Sequence, residues 1–176
     1  MSEPAEESWL SQLALTTVLL AVCATLATFK GGGYSTKSVI AQAQASDQWA
    51  YYQAKSTKQN LYELQAVQLE LQAQALPAGN SAQAAFQAKA ADYHDKATRY
   101  EQDKKAIDAK ARELEQVRDE AQRHSKPFGL AVIFLQVAIL LCSIAGLMKR
   151  RLIWLGALPV GLIGILLFAD GFLLFW

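Results

Sequence analysis

The sequence is poor in the residues that build metal sites and disulfide frameworks: its 176 residues include two cysteines and two histidines. Cys23 and Cys142 lie within apolar runs, where cysteine packs as a small hydrophobic residue. His94 and His124 are far apart in the chain, no metal-ligand spacing surrounds either of them, and both are expected to be solvated helix residues. The sequence therefore indicates no disulfide framework, no metal and no cofactor.

Motifs of catalysis and of nucleic-acid binding are also missing. The sequence has no nucleophile–base pair and no paired carboxylates, and its glycine run at residues 31–33 lacks the Lys and Ser or Thr of a phosphate loop. The net charge is +1, with both signs mixed rather than arranged as a basic stripe. We therefore expect neither an enzyme nor a nucleic-acid partner.

Charge is nearly absent from three long segments, while apolar residues make up 52% of the chain. Each segment reaches the roughly 20 residues that a helix needs to cross a bilayer. A buried core helix is the alternative for any one of them, but the rest of the chain offers no comparable apolar surface to cover three. We predict an all-α membrane protein with transmembrane helices at 9–29, 127–148 and 152–176.

The boundaries of these segments carry residues that disfavour a continuous helix. Residues 1–8 form a short acidic N-terminus, and the lack of Lys or Arg before Lys30 predicts a retained membrane helix rather than a signal peptide. Glycine costs about 1 kcal/mol per residue in a helix, so residues 30–33 (Lys-Gly-Gly-Gly) are predicted to end the first membrane helix as a hinge. Residues 125–127 (Ser-Lys-Pro) are predicted to restart the chain into the second membrane helix, with a kinked continuous helix as the alternative.

Residues 30–126 carry the periodicity of a long antiparallel coiled-coil hairpin between the first and second membrane helices. Helices are predicted at 34–76 and 81–125, joined by a turn at 77–80 (Pro-Ala-Gly-Asn). In the later helix, mostly apolar residues recur at alternating spacings of four and three, which is the seam of a coiled coil. This seam comprises Phe86, Ala90, Tyr93, Ala97, Tyr100, Lys104, Ile107, Ala111, Leu114, Arg118 and Ala121.

The earlier helix of the hairpin offers two apolar seams. The leucine seam, predicted to face the later helix, comprises Ala50, Ala54, Thr57, Leu61, Leu64, Gln68, Leu71 and Ala75. Since the hairpin would satisfy only that seam, the second one is predicted to pack against another copy of the chain, giving a homo-oligomer. This alanine–tyrosine seam comprises Ala41, Ala45, Tyr52, Tyr62, Ala66, Leu69, Ala73 and Leu76, interrupted by Gln48, Lys55 and Gln59.

Aromatic residues cluster on the earlier helix of the hairpin. They would form either a platform for a ligand or lipid or, as we favour, a packing surface within or between hairpins. The later helix instead carries acid-first pairs four residues apart, each worth roughly 0.2–0.5 kcal/mol, which suit a water-facing surface. These pairs are Asp92–Lys96, Asp95–Arg99, Glu101–Lys105, Asp108–Arg112 and Asp119–Arg123. The oligomer or packing candidates are Trp49, Tyr51, Tyr52, Tyr62, Leu69 and Leu76.

Three adjacent cations at residues 149–151 (Lys149, Arg150 and Arg151) form the short loop between the last two membrane helices. Short basic loops lie on the cytoplasmic side. This places the N-terminus and the loop in the cytoplasm, and the stalk and C-terminus in the periplasm. Basic residues flanking the stalk favour the opposite orientation, but a stalk of this length translocates regardless of its charge.

Asp170 is the one charged residue within a predicted membrane span, and Gln136 is the strongly polar residue of the preceding span. Intramembrane acids are candidates for a functional site. A structural role is the alternative, because Asp170 lies only about 9 Å from the end of its helix. A contact between Asp170 and Gln136 at similar depth, or an ion pair of Asp170 with Lys30 or Lys126, would serve that role.

Three stretches resemble a bacterial membrane family catalogued as domain of unknown function 4337. They are residues 46–56 (SDQWAYYQAKS), residues 134–139 (FLQVAI), and the basic loop followed by residues 152–154 (LIW). The resemblance implies a multi-pass protein of the bacterial inner membrane with three spans and a helical insertion. It implies no activity and no catalytic residues.

The sequence most favours an oligomeric membrane scaffold or interaction protein that presents a coiled-coil stalk. Its partners would be the lipid bilayer, other copies of the chain and, through the stalk, another membrane or envelope protein. The alternative is a small oligomeric channel or transporter subunit in which Asp170 is the intramembrane polar site.

Overall fold

The computed structural model describes residues 4–77 and 80–174, and gives side chains from Trp9 onward. This part of the chain contains three helices and no strand: α1 (Pro4–Ala75), α2 (Ser81–Met148) and α3 (Arg151–Leu173). Each helix includes a stretch that is long and apolar enough to cross a membrane, in agreement with the three predicted spans. Parts of three predicted segments lie outside the described residues: 1–3 of the acidic N-terminus, 78–79 of the turn and 175–176 of the last span.

The two predicted helix breaks are wrong. α1 continues through residues 30–33, and α2 continues through Pro127, as the alternative reading of that segment allowed. Gly31 is buried, and a Cβ atom built on it would lie 2.8 Å from Cβ of Phe128. The absence of a side chain at this position therefore permits close helix packing, which offsets the poor helix propensity of glycine.

The predicted helix ends near the turn and the basic loop are close to the observed ones. The Asn80 side chain accepts a hydrogen bond from the amide of Ala82 (3.0 Å), which caps the start of α2. At the other end of α2, Lys149 has a positive φ of 51°. The amide of Lys149 donates a hydrogen bond to the carbonyl of Gly146, and the amide of Arg150 donates one to the carbonyl of Ala145. This is a Schellman motif. It leaves a two-residue link, so Arg151 belongs to α3 rather than to the predicted loop.

The described chain divides into two compact units. The first comprises Met1–Ile40 and Val117–Trp176, and the second comprises Ala41–Gln116. In the first unit, the core lies among α1, α2 and α3, and three side chains of α2 spaced seven residues apart are fully buried: Phe128, Leu135 and Cys142. Seven residues are two helical turns, so one stripe of α2 faces this core.

In the second unit, α1 and α2 pack against each other in antiparallel order. Lys55 pairs with Asp103, and Trp49, which comes earlier in α1, pairs with Glu115, which comes later in α2. Every residue of the predicted seam of α2 between Phe86 and Leu114 is buried or half-buried, as expected.

The seam of α1 that faces α2 is the opposite of the predicted one. Leu61, Leu64 and Leu71 of the leucine seam are 55%, 69% and 60% exposed. Every member of the alanine–tyrosine seam is buried or half-buried, including the positions of Gln48, Lys55 and Gln59 that interrupt it. That seam is therefore occupied within the chain and is not free for a second copy. Alanine allows the helices to approach closely, and tyrosine and lysine bury their apolar parts while their polar ends reach water.

Candidate functional site

An aromatic cluster in the first unit surrounds the fully buried Phe128. This ring lies 6.0 Å from Tyr34, 5.9 Å from Phe168 and 5.0 Å from Phe172, measured between ring centroids. A Cβ atom on Gly171 would approach three atoms of the Phe128 ring to 2.8 Å. Together with Gly31 on the other side, Gly171 gives the ring room between α1 and α3, so all three helices meet at Phe128.

His124 joins this cluster from one turn earlier in α2. Its ring stacks on Tyr34, with centroids 4.7 Å apart and planes 15° apart, and its Nδ1 lies 2.8 Å from the carbonyl oxygen of Gly171. A carbonyl only accepts hydrogen bonds, so Nδ1 carries the proton and donates it. The hydroxyl of Ser125 donates to the carbonyl of Gly31 at 3.3 Å. These two bonds link α2 to α3 and to α1.

The role of His124 was missed at the sequence level, where both histidines were expected to be solvated. The position of His124 relative to the α2 seam could have predicted its burial. His124 lies four residues before Phe128, and the seven-residue spacing of the α2 seam places Phe128 after Ala121. Extending that seam beyond Ala121 would have placed His124 next to a buried stripe. His94, in the second unit, is exposed and pairs with Glu70 at 2.9 Å.

Asp170 is 5% exposed, and it is the one buried charged residue in the part of the chain that the structure describes. Its backbone carbonyl accepts the amide of Leu174 (2.7 Å) near the end of α3. Gln136 is exposed, and it follows Leu135, whose side chain lies against Gly164. Gly164 precedes Asp170 by six residues, which is about 9 Å along a helix. The two polar candidates are therefore at different levels of the unit.

The second unit carries a ladder of tyrosines between α1 and α2. Tyr62 of α1 stacks on Tyr100 (5.7 Å, 14° between planes) and lies 5.4 Å from Tyr93. Lys55 lies 4.9 Å from the Tyr100 centroid and forms an ion pair with Asp103 at 2.7 Å. The hydrogen bond to Asp103 raises the pKa of Lys55 above its ordinary value. This ladder is an internal contact of the helix pair, in which cation–π interactions add to apolar packing.

The other aromatic candidates divide between packed and exposed positions. The indole Nε1 of Trp49 donates to Glu115 (3.0 Å), and its ring meets Tyr52 edge-on at 5.6 Å. Tyr51 is 51% exposed, whereas Leu69 and Leu76 are half-buried. Trp49 and Tyr52 therefore contact each other, and Trp49 also contacts α2, within the second unit.

Charged residues of α2 form ion pairs with near neighbours in the same helix. Asp92–Lys96 (3.0 Å) and Asp108–Arg112 (2.9 Å) are formed as predicted. Two other acids pair with residues closer in the chain than the predicted Lys105 and Arg123. Glu101 pairs with Lys104 (3.1 Å), and Asp119 pairs with Arg118 (2.8 Å). Hydrogen bonds from Lys96 and Lys89 lower the pKa of Asp92. The carboxylates of these pairs are 34–55% exposed to solvent, so each pair contributes little to stability.

Similarity to known proteins identifies a family but no activity. Within the described residues, no three His, Cys, Asp or Glu side chains lie close enough together to hold a metal ion. No curated protein and no solved structure matches the chain. One family profile matches residues 9–174, which include all three spans and the helix pair. The chain therefore belongs to the family described as Domain of unknown function (DUF4337).

Proposed function

We propose that the protein is an oligomeric membrane scaffold in which the second unit is an antiparallel coiled-coil stalk. The observation that carries the proposal is the exposed leucine seam of α1. Once α2 occupies the alanine–tyrosine seam, the leucine seam remains exposed on a helix that already has one partner. Its members keep spacings of four and three and include no charged residue. A coiled-coil partner inserts side chains into such a surface.

The partner we propose for the leucine seam is a second copy of the chain. A seam of uncharged residues is self-complementary, so two copies bury it in a symmetric contact, with the same surface used on each side. Exposed aliphatic side chains grouped on one face mark an interaction surface. The alanine–tyrosine seam predicted for this contact includes Tyr62 and Leu69, but both are half-buried within the chain, and Tyr62 packs against Tyr93 and Tyr100 of α2. The oligomer contact moves to the opposite face of α1.

The size of the full chain in mild detergent tests this proposal. We expect a particle larger than one chain, and we expect Leu61→Glu/Leu64→Glu to reduce it to one chain with unchanged helical content by circular dichroism. A matched control adds two acids to exposed positions of α2, Gln87→Glu/Gln102→Glu, and should leave the size unchanged. A wild-type monomer, or equal effects of the two double variants, would contradict the proposal.

We also propose that the membrane is the bacterial inner membrane, with the 149–150 link and the adjoining Arg151 in the cytoplasm and the stalk in the periplasm. The support is the basic link between α2 and α3, which is short enough to obey the positive-inside rule. Labelling tests this orientation. With Cys23 and Cys142 replaced by alanine, a cysteine at exposed Ser46 should react with an impermeant maleimide in spheroplasts, and one at Lys149 only after lysis. The reverse pattern would invert the topology.

A channel or transporter subunit is the second candidate, and the burial of Asp170 favours it. A buried carboxylate in an apolar unit is costly unless it has a structural or functional role. Ion flux into proteoliposomes separates the two roles. Ion flux that is abolished by Asp170→Asn would support a pore. Absence of ion flux with the wild-type protein would contradict it.

A further inference from the structure

The surface of α1 carries a groove where its uncharged run ends. The groove has a volume of about 630 Å³ and is lined by Phe29, Lys30, Gly32, Gly33, Tyr34 and Lys37. It exists because two consecutive positions have no side chain: a Cβ atom built on Gly32 or on Gly33 meets nothing within 4 Å. Unlike Gly31, these two glycines are not needed for helix packing. Their open surface is a feature that the fold of the first unit does not explain.

The groove is positively charged. Lys30 and Lys37 are seven residues apart, which is two turns or about 10.5 Å, so both lie on the face that contains Gly33. Residues 8–46 include no Asp or Glu, so this part of α1 has no acidic residue of its own to pair with either lysine. Two cations on either side of an open backbone suit a phosphate group.

The groove also has an apolar side. Phe29 is 76% exposed, and Leu26, one turn earlier, is 48% exposed. Both belong to the uncharged run that we assign to the membrane, and they precede the lysines in the chain. The order of apolar residues followed by cations matches the order of acyl chain and headgroup in a phospholipid. A free phosphate ion would use the lysines alone and leave Phe29 without a role.

We propose that this groove binds the phosphate headgroup of an anionic phospholipid, with Lys30 and Lys37 contacting the phosphate and Phe29 contacting the acyl chain. The proposal requires α1 to lie in a membrane but does not require the oligomer contact at the leucine seam. Lysines near an anionic lipid surface each strengthen binding measurably. Gly32 and Gly33 admit the headgroup by leaving the helix surface uncovered.

Native mass spectrometry of the full chain in mild detergent, with added phosphatidylglycerol or phosphatidylcholine, tests the proposal. We expect preferential retention of phosphatidylglycerol, and roughly thirtyfold weaker binding in Lys30→Gln/Lys37→Gln. The matched control, Lys58→Gln/Lys105→Gln, removes the same charge from exposed residues of the second unit and should bind normally. Equal binding by wild type and the Lys30/Lys37 variant, or equal losses in both double variants, would overturn the proposal.

A second pair of variants separates the groove from its charge. Gly33→Leu fills the groove while keeping both lysines, and we expect it to lose phosphatidylglycerol. Gly156→Leu is the control, because a Cβ atom built at that exposed α3 position also meets nothing within 4 Å. Normal lipid binding by Gly33→Leu would overturn the proposed site. Displacement of the lipid by excess inorganic phosphate would identify a free-phosphate site instead. The same spectra report subunit number, so failure of the oligomer proposal is seen separately.

Discussion

The two units of the molecule pack their helices by different means. In the first unit, large side chains lie directly against glycines: Leu135 against Gly164, and Phe128 against Gly31 and Gly171. In the second unit, small alanines such as Ala66 and Ala111 are fully buried, and lysines lie over tyrosine rings. Membrane helices gain no hydrophobic energy by leaving lipid, so they associate through close backbone contact. Helices in water gain it from burying apolar surface, including the stems of polar side chains.

The largest expected effect comes from adding one methyl group to the first unit. In Gly164→Ala, the new Cβ would lie 2.8 Å from Cγ of Leu135 and 3.0 Å from its backbone nitrogen, which cannot move aside as a side chain can. Overpacking of this kind costs about 3 kcal/mol. We expect a clearly lower midpoint of thermal unfolding in detergent.

The control for this substitution is Gly156→Ala, which meets nothing within 4 Å on the same helix. It should be neutral or slightly stabilising, because alanine is the better helix former. Equal unfolding midpoints for the two variants would mean that close glycine contacts do not hold the first unit together.

An intermediate effect is expected from the two histidines, one in each unit. His124→Phe keeps an aromatic ring beside Tyr34 but loses the hydrogen bond to the carbonyl of Gly171, at a cost of about 1 kcal/mol. His94→Phe loses only an exposed contact with Glu70 and should change stability far less. Thermal unfolding of both variants in one detergent measures the difference. A larger loss of thermal stability in His94→Phe than in His124→Phe would contradict the expected difference between the two units.

The smallest effect is the pH dependence of the second unit. The folded state lowers the pKa of Asp92 through Lys96 and Lys89. The contribution of ionised Asp92 to stability is therefore fully present above its pKa in the unfolded state, about 3.9. This contribution is lost as the pH falls through the lower pKa of the folded state. We expect a slight loss of thermal stability below about pH 4. Asp92→Asn should remove that part of the pH dependence, and an unchanged profile in this variant would show that other carboxylates cause it.

The spacing of apolar residues predicted much of the helix pair but not its orientation. The predicted seam of α2 is buried or half-buried, because the later helix has one mostly apolar stripe and most of its charges elsewhere. α1 has two stripes with the same spacing, so periodicity could not choose between them. The leucine seam has the larger aliphatic side chains, whereas the close approach of the helices selects alanine and tyrosine. Because periodicity could not distinguish the two stripes, Tyr62 and Leu69 were predicted to lie in an intermolecular contact.

The candidate site was predictable only in part. Asp170 stands out in the sequence as a charge within an apolar run, and the structure buries it. His124 and Gly171 do not stand out, since their contact joins residues 47 positions apart in the chain. Gly31 was predicted to be a hinge because propensity counts only the cost of glycine and not the packing that it allows.

By itself, the sequence determined that the chain is helical, that three stretches are long and apolar enough for a membrane, and that α2 has one buried stripe. These properties depend on local composition and spacing. Tertiary structure decided that α1 and α2 run unbroken through glycines and proline, which seam of α1 remains exposed, and that Phe128 and His124 meet α3. These properties depend on which surfaces approach each other, and the approach distance is set by side chains that are distant in the chain.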